Sequence, residues 1–449
     1  MSINFSPLCI SDWDEMRTAL LVVVAVLLIG HVQTQEWPTL KHDDQHTGFA
    51  DSLLPDEGEI AWISHVDGAL SSLAIQDYSI FVGTDKGTLH AISVFNGKEL
   101  WRFGTKGKVS PPTISNERVY FGAGDNLYCL NATTGEKIWS YATGDIIRSS
   151  PVVTNDAVYI ASDDDIHALE VANGKLIWKK NFGNEITASP ALDNEILFFG
   201  TSEGTVYAIR AGDGSVVWSK ILDNCGTLSS PTVGGGRIYV GCSNGLMCSL
   251  DETTGDELWT FKAGGRIESS PSYAGGIVCF GSYDSSIYTL YSENGALKWS
   301  YATDGQIKSS PAISNDGVIA TSQDGYIYVL NAESGEVIWK HQIGATGNSS
   351  PAIAYEKIFI GTSDGELYCF GSWGSLPGET SWKGVVYLAV ALILFFCVWW
   401  LDRKPGSVAA KKSGGVAEIR TRVTGSRSRQ DRPGYPTTPR KFDVIGKKL

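Results

Sequence analysis

Tryptophan returns along this chain with a period that leaves few folds open. Trp62, Trp101, Trp139, Trp178, Trp218, Trp259, Trp299 and Trp339 are spaced 38–41 residues apart. A glycine stands four residues before each, at Gly58, Gly97, Gly135, Gly174, Gly214, Gly255, Gly295 and Gly335. A repeat of about forty residues is a unit that cannot bury both faces alone and must stack on its neighbours. A second marker runs out of phase with the first. It is a Ser-Pro at Ser110, Ser150, Ser189, Ser230, Ser270, Ser310 and Ser350, with Ser72-Leu73 as a degenerate eighth copy.

Between the markers each unit reads as four short strands. In the unit from Ser310 to Trp339, Ser-Pro-Ala-Ile opens the first strand and residues 317–321 alternate as the second. Gln323-Asp324-Gly325 makes a hairpin turn, residues 326–330 form the third strand, and residues 336–339 the fourth. Four strands per repeat define a propeller blade. The first Trp strand has no blade before it, and the last Ser-Pro start has no Gly-x-x-x-Trp after it. The N-terminal strand therefore completes the C-terminal blade and leaves no open edge. The spacing predicts an all-β, eight-bladed propeller over residues 56–371, preceded by a strap over 36–55. Fifty glycines suit so many tight turns.

The unit small-x5-Gly-x3-Trp resembles the tryptophan-docking motif of quinoprotein-type propellers. Seven copies match, among them Ala91-Gly97-Trp101, Cys129-Gly135-Trp139 and Val329-Gly335-Trp339. The segment from Trp37 through His42 and His46 to Gly48 resembles the start of pyrroloquinoline-quinone-like repeat proteins. The resemblance implies that all eight tryptophans dock between blades. It also implies two functional classes: quinone- and calcium-dependent alcohol or sugar dehydrogenases, and non-catalytic scaffolds such as the lipoprotein of the outer-membrane barrel-assembly machinery. The dehydrogenases carry long inter-blade insertions, and several carry adjacent cysteines. This chain has neither. The resemblance therefore points to the scaffold class, with no cofactor, no catalytic residue and no metal site.

Two apolar stretches flank the repeats. Residues 19–30 suit a signal-peptide core within a leader of residues 1–35, or an N-terminal anchor. Met16 offers a second start. Residues 384–401, reached by a linker over 372–383, hold eighteen residues without a charge, enough to cross a bilayer. Trp382, Tyr387, Trp399 and Trp400 flank them as interfacial aromatics. Residues 402–449 follow with thirteen Lys and Arg against four Asp and Glu, a polar tail with too few apolar residues to fold. The positive-inside rule places this tail in the cytoplasm and the propeller outside it. The chain carries −13 overall; residues 1–31 carry −2 and the tail +9, leaving −20 on residues 32–401. A body of that charge repels nucleic acid.

The position two before each Ser-Pro serine recurs once per blade. It reads Leu70, Lys108, Arg148, Thr187, Leu228, Glu268, Lys308 and Asn348. Equivalent positions ring one mouth of a propeller channel, and three cations in an acidic body suit a carboxylate or an acidic peptide. Variable, solvated loop residues are the plainer account. His42 and His46 have the spacing of metal ligands on a helix, but the segment lacks helical periodicity. Asp163, Asp164 and Asp165 sit where hairpin turns call for Asp, and no calcium loop is present. Of eight cysteines, Cys225, Cys242 and Cys248 lie in one repeat and are placed to pair in an oxidising compartment. Cys129, Cys279 and Cys369 read as small buried side chains. Asn131-Ala-Thr133 and Asn348-Ser-Ser350 match the glycosylation acceptor.

Overall fold

The computed structural model describes residues 36–346 and 349–372. Eight four-stranded antiparallel sheets follow one another along the chain. In blade 1 the strands, from the axis outward, are Ala74–Gln76, Ser79–Gly83, Thr88–Ser93 and Glu99–Gly104. We call them a, b, c and d. Blades 2 to 7 repeat this order over 113–142, 152–181, 191–221, 232–262, 272–302 and 312–342. Blade 8 takes its a, b and c strands from 352–370 and its d strand from Ile60–His65. That N-terminal strand pairs antiparallel with Glu366–Phe370, so the ring closes as the unpaired first Trp strand requires.

The burial pattern follows position in the blade. The b and c strands are sealed between neighbouring blades, whereas the d strands form the rim and alternate between exposed and half-buried. Each d strand also carries a bulge just before its tryptophan, as between Val329 and Leu330 opposite Trp339 and Val337. The extra residue breaks the two-residue alternation. Two consecutive apolar side chains then face solvent, as at Leu176 and Ile177.

Tryptophan docking builds the seams. Each of the eight repeat indoles donates its N–H to a backbone carbonyl across the seam, from Trp62 to Val94 at 2.8 Å around to Trp339 and Pro55 at 2.9 Å. Each indole also lies flat on the glycine of the next unit. A Cβ on Gly97, Gly135, Gly174, Gly214, Gly255, Gly295, Gly335 or Gly58 would approach the ring to 2.6–3.0 Å. Seven of these glycines have φ between +68° and +75°, where a side chain is strained as well as crowded. This explains why the glycine and the tryptophan recur together: each pair belongs to two adjacent blades.

The leader, the apolar segment 384–401 and the basic tail lie outside the described residues. Among the described residues no helix is long and apolar enough to cross a membrane.

Candidate functional site: the channel mouth and the strap

An antiparallel meander puts its a–b and c–d turns on one face and its b–c turns and d-to-a crossovers on the other. We call these the strap face and the mouth face. On the strap face, residues 37–50 run across the inner strands and hydrogen-bond to their free edges. Trp37 exchanges backbone bonds with Ile75 of blade 1. The carbonyls of Pro38, Asp44, Gln45, Thr47 and Gly48 accept from Ile114, Leu192, Val233, Tyr273 and Ile313. Six blades thus have inner-edge amides satisfied by one segment. Lys41, His42, His46 and Gly48 all take positive φ, which lets the strap coil tightly.

The strap inserts Lys41 into the interior. Its Nζ donates to Thr232 Oγ1 at 3.3 Å and to the Ser270 carbonyl at 3.2 Å. Burial lowers this amine to about 7. His46 is buried with Nδ1 3.2 Å from the Pro231 carbonyl, and burial together with the Lys41 charge lowers it to about 4. Burial and the neighbouring Asp43 raise Asp44 to about 6. Burial pushes Asp43 upward, but hydrogen bonds from His42 and Thr47 outweigh it and hold the carboxyl below its ordinary value. The two histidines serve different contacts: His42 packs edge-on against Trp37 at 5.2 Å, while His46 faces blade 5. A cavity of about 470 Å³ lies beside the strap, bordered by Glu36, Thr39, His42, Asp43, Asp44 and Thr113.

Serines circle the axis. The backbone N–H of Ser150 donates to Ser189 Oγ, Ser189 to Ser230, Ser270 to Ser310, Ser310 to Ser350, and Ser350 to Ser72. In five blades a serine one residue earlier accepts from the amide twelve residues onward, whereas blade 4 has Ala188 at that place. Ser71 serves Gly83, Ser149 serves Ala161 and Ser269 serves Gly281. In blade 2 it is Ser110 that accepts from Gly122, at 3.0 Å. Pro111-Pro112 therefore fills the Ser-Pro place, and Val109, not Lys108, is in register with Arg148 and Lys308.

That register sorts the mouth positions. Leu70, Val109 and Leu228 are buried and cover Gly361, Gly83 and Gly200. In blades 3, 6 and 7 an isoleucine one residue earlier, Ile147, Ile267 or Ile307, covers the equivalent glycine. Arg148, Glu268 and Lys308 are thereby released to the mouth. Thr187 donates from Oγ1 to the Leu228 carbonyl at 3.2 Å. Lys108 is exposed one position off the ring, and Asn348 lies outside the described residues. Arg148 pairs with Glu185 at 3.0 Å. Arg266 pairs with Glu268 at 3.0 Å, and the Tyr283 hydroxyl donates to Glu268. Lys308 Nζ and the Arg266 guanidinium lie 5.3 and 5.4 Å from the Tyr283 ring centre. Arg266 and Tyr283 escape a reading by Ser-Pro register because they come from the crossover and the b–c turn.

Cys225 and Cys242 form a disulfide with Cα atoms 5.0 Å apart, and Cys248 Sγ lies 3.8 Å from Cys242. Cys129, Cys279 and Cys369 are buried, and burial raises their thiols to about 11, 12 and 12. Asp165 is held by Lys179 at 2.7 Å and Asn181 at 3.0 Å. Asn131 Oδ1 accepts from Thr133 and Thr134 in its turn.

Fold and axis define an eight-bladed propeller of the tryptophan-docked, quinoprotein-like class. The family model for outer membrane protein assembly factor BamB matches residues 50–162, 162–266 and 243–381, and the chain belongs to that family. BamB of Yersinia pestis is 34% identical over 64 residues, which are 14% of this chain and 16% of that protein; the match thus spans about one sixth of the relative's length. The BamB structure from Moraxella catarrhalis superposes with a TM-score of 0.61 at 15% identity, over 70% of this chain and 99% of that one. A europium-containing methanol dehydrogenase superposes with a TM-score of 0.65 at 13% identity, over 78% of this chain and all of the other. At such identities the two superpositions speak for the fold alone.

Proposed function

We propose that this chain is a membrane-anchored, extracytoplasmic propeller that acts as a non-catalytic binding or scaffolding module for an envelope protein or surface ligand. The observation that carries this reading is the strap. Its backbone takes the inner edges of six blades, and Lys41 fills the interior beneath them. The alternative is a dehydrogenase using pyrroloquinoline quinone and a divalent cation, and the residues present do not fit that group. Serine amides and hydroxyls around the axis bond to one another. Among the described residues, the one cluster of His, Cys, Asp or Glu side chains close enough to share an ion is Cys225, Cys242 and Cys248. Sulfur donors do not suit calcium, which takes oxygen.

The partner reads as an acidic segment at the mouth face. Lys108, Arg148 and Lys308 stand there on a body that is otherwise acidic, with Glu268 and Asn348 beside them in the repeat. A carboxylate gains most from cations already positioned. The name of the family, an assembly factor, supports a protein partner over a small substrate. The anchor would be the apolar segment 384–401, with the basic tail on the cytoplasmic side.

Two titrations test this reading. Pyrroloquinoline quinone with calcium should neither bind saturably nor support dye-linked oxidation of an alcohol and sugar panel. Saturable binding with turnover would replace the scaffold by the enzyme. An acidic-peptide panel should lose affinity when Lys108, Arg148 and Lys308 are changed together to Ala; unchanged binding would remove the mouth from the proposal.

A further inference from the structure

Both ends of the described chain leave the propeller at one place. At the N-terminal end, Glu36 Oε1 accepts from the Asp77 amide at the a–b turn of blade 1. At the C-terminal end, Gly371 N–H donates to the Glu59 carbonyl at 2.9 Å. Lys357 Nζ, at the a–b turn of blade 8, donates to the Ser372 carbonyl at 2.8 Å. Blades 8 and 1 are neighbours, so both exits lie on the strap face at the closure seam.

The same seam carries aromatic rings in place of the usual turn residues. Tyr78 stacks between Tyr355 and Phe95, with ring centres 4.7 and 5.0 Å away. The Tyr355 hydroxyl accepts from the Tyr78 amide at 3.1 Å. Tyr78 and Phe95 are each 43% exposed. Tyr78 and Tyr355 also take φ of +58° and +53°. The corresponding turns of other blades use Asn116-Glu117, Asn194-Glu195 or Gly235-Gly236 at positive φ. A bulky ring in the left-handed region is an outlier whose strain the surroundings must hold.

From this placement we propose that the blade 8–blade 1 seam rests on the lipid bilayer, with Tyr78 and Phe95 at headgroup level. The strap face then looks toward the membrane and the mouth face away from it, toward any partner. The inference rests on the single-span reading above. A tyrosine, with an apolar ring and a polar hydroxyl, settles where the bilayer meets water, and Phe95 adds exposed apolar surface beside it. Eleven residues lie between Ser372 and Gly384 in the sequence, a reach of at most about 40 Å. Exposed acids stand at the seam turns, Asp77 and Glu356, as at the other turns of this face, Glu117, Asp156 and Glu195, and oppose anionic lipid. The exposed rings, not the charge, single out this edge of the face, and the contact does not require anionic headgroups.

The test uses the full chain, with Cys9 and Cys397 changed to Ser, reconstituted into phosphatidylcholine vesicles. One fluorophore is attached through Asn96→Cys beside Phe95, and in a separate sample through Lys86→Cys at a b–c turn of the mouth face. Flotation after alkaline wash reads the anchor, and quenching by headgroup nitroxide lipid reads the orientation. We expect flotation of both, loss of fluorescence at position 96, and none at position 86. Changing Tyr78 and Phe95 together to Ser should leave flotation intact and abolish the quenching. Flotation with quenching at position 86, at neither position, or unchanged in the double variant would overturn the proposal while leaving the anchor standing. Failure to float would remove the single-span reading and this proposal with it.

Discussion

Lys41 Nζ and the carbonyl oxygen of Ser270 meet at 3.2 Å inside the propeller, joining the strap to the start of blade 6. The side chain is 2% exposed. The strap is therefore part of the core, and its titration becomes a property of the whole fold.

Lys41 should contribute more stability as the pH rises. Burial lowers Lys41 to about 7 from an ordinary 10.5. Between those values the unfolded chain holds a proton that the folded chain has released, so raising the pH favours folding. The contribution is complete above 10.5 and disappears as the pH falls through 7. Between pH 7 and 9.5 it amounts to about 3 kcal/mol. The buried thiols of Cys129, Cys279 and Cys369, raised by burial, lose stability over the same window. The Lys41 contribution is therefore read by difference: urea titrations at the two pH values should show the chain gaining on Lys41→Met by this amount as the pH rises.

On the acid side two strap groups oppose each other. His46 is lowered to about 4, so its contribution is present above 6.5 and is lost as the pH falls through 4. Asp44 is raised to about 6, so its contribution is present below 3.8 and is lost as the pH rises through 6. Asp44→Asn should steepen the acid loss by about 1–2 kcal/mol after screening, and His46→Gln should flatten it. Thermal melts between pH 4 and 7 check both.

The docking pairs should respond to either partner. Gly295→Ala places a Cβ 2.6 Å from the Trp259 ring at a φ of +71°, and should cost about 1–3 kcal/mol. Trp299→Phe keeps most of the apolar surface but removes the indole bond to the Ala332 carbonyl at 2.9 Å, for about 1–2 kcal/mol. Equilibrium unfolding of both variants measures the difference.

A non-reducing peptide map should recover Cys225 linked to Cys242, and Cys248→Ser should leave the map unchanged. Removing the bridge with Cys225→Ser should cost about 3 kcal/mol, the entropy of closing a short loop. The same map would expose any exchange to Cys248, whose sulfur lies 3.8 Å from Cys242.

The ring was legible because its determinants recur. Gly58 through Trp339 announces the seams, and the unpaired first strand announces closure. Mouth chemistry was less legible because it depends on single-residue register. The tandem prolines at Pro111 and Pro112 shift the Ser-Pro marker by one, so Lys108 reads as a ring position that Val109 occupies. The strap was least legible. Nothing local predicts that Lys41 is buried, since its acceptors, Thr232 and Ser270, belong to distant repeats. The positive φ of Lys41, His42 and His46 likewise leaves no mark in the sequence, where glycine would have signalled it. The three clustered cysteines were visible as a group, but which two pair is decided by the crossover that carries Cys225.

The closure strand has a consequence for biogenesis. Ile60 of the d strand in blade 8 finds Phe370 only after nearly the whole ring has been made. At ordinary rates of synthesis that wait lasts roughly 15–60 s. Contacts of such high sequence separation form late and slowly. Meanwhile the nascent chain presents two complementary sticky edges, Ile60–His65 at the front and the growing blade behind. Two chains emerging side by side could satisfy those edges with each other. The propeller's greatest vulnerability to misassembly is therefore temporal: it is an unfinished circle for most of the time it is being born.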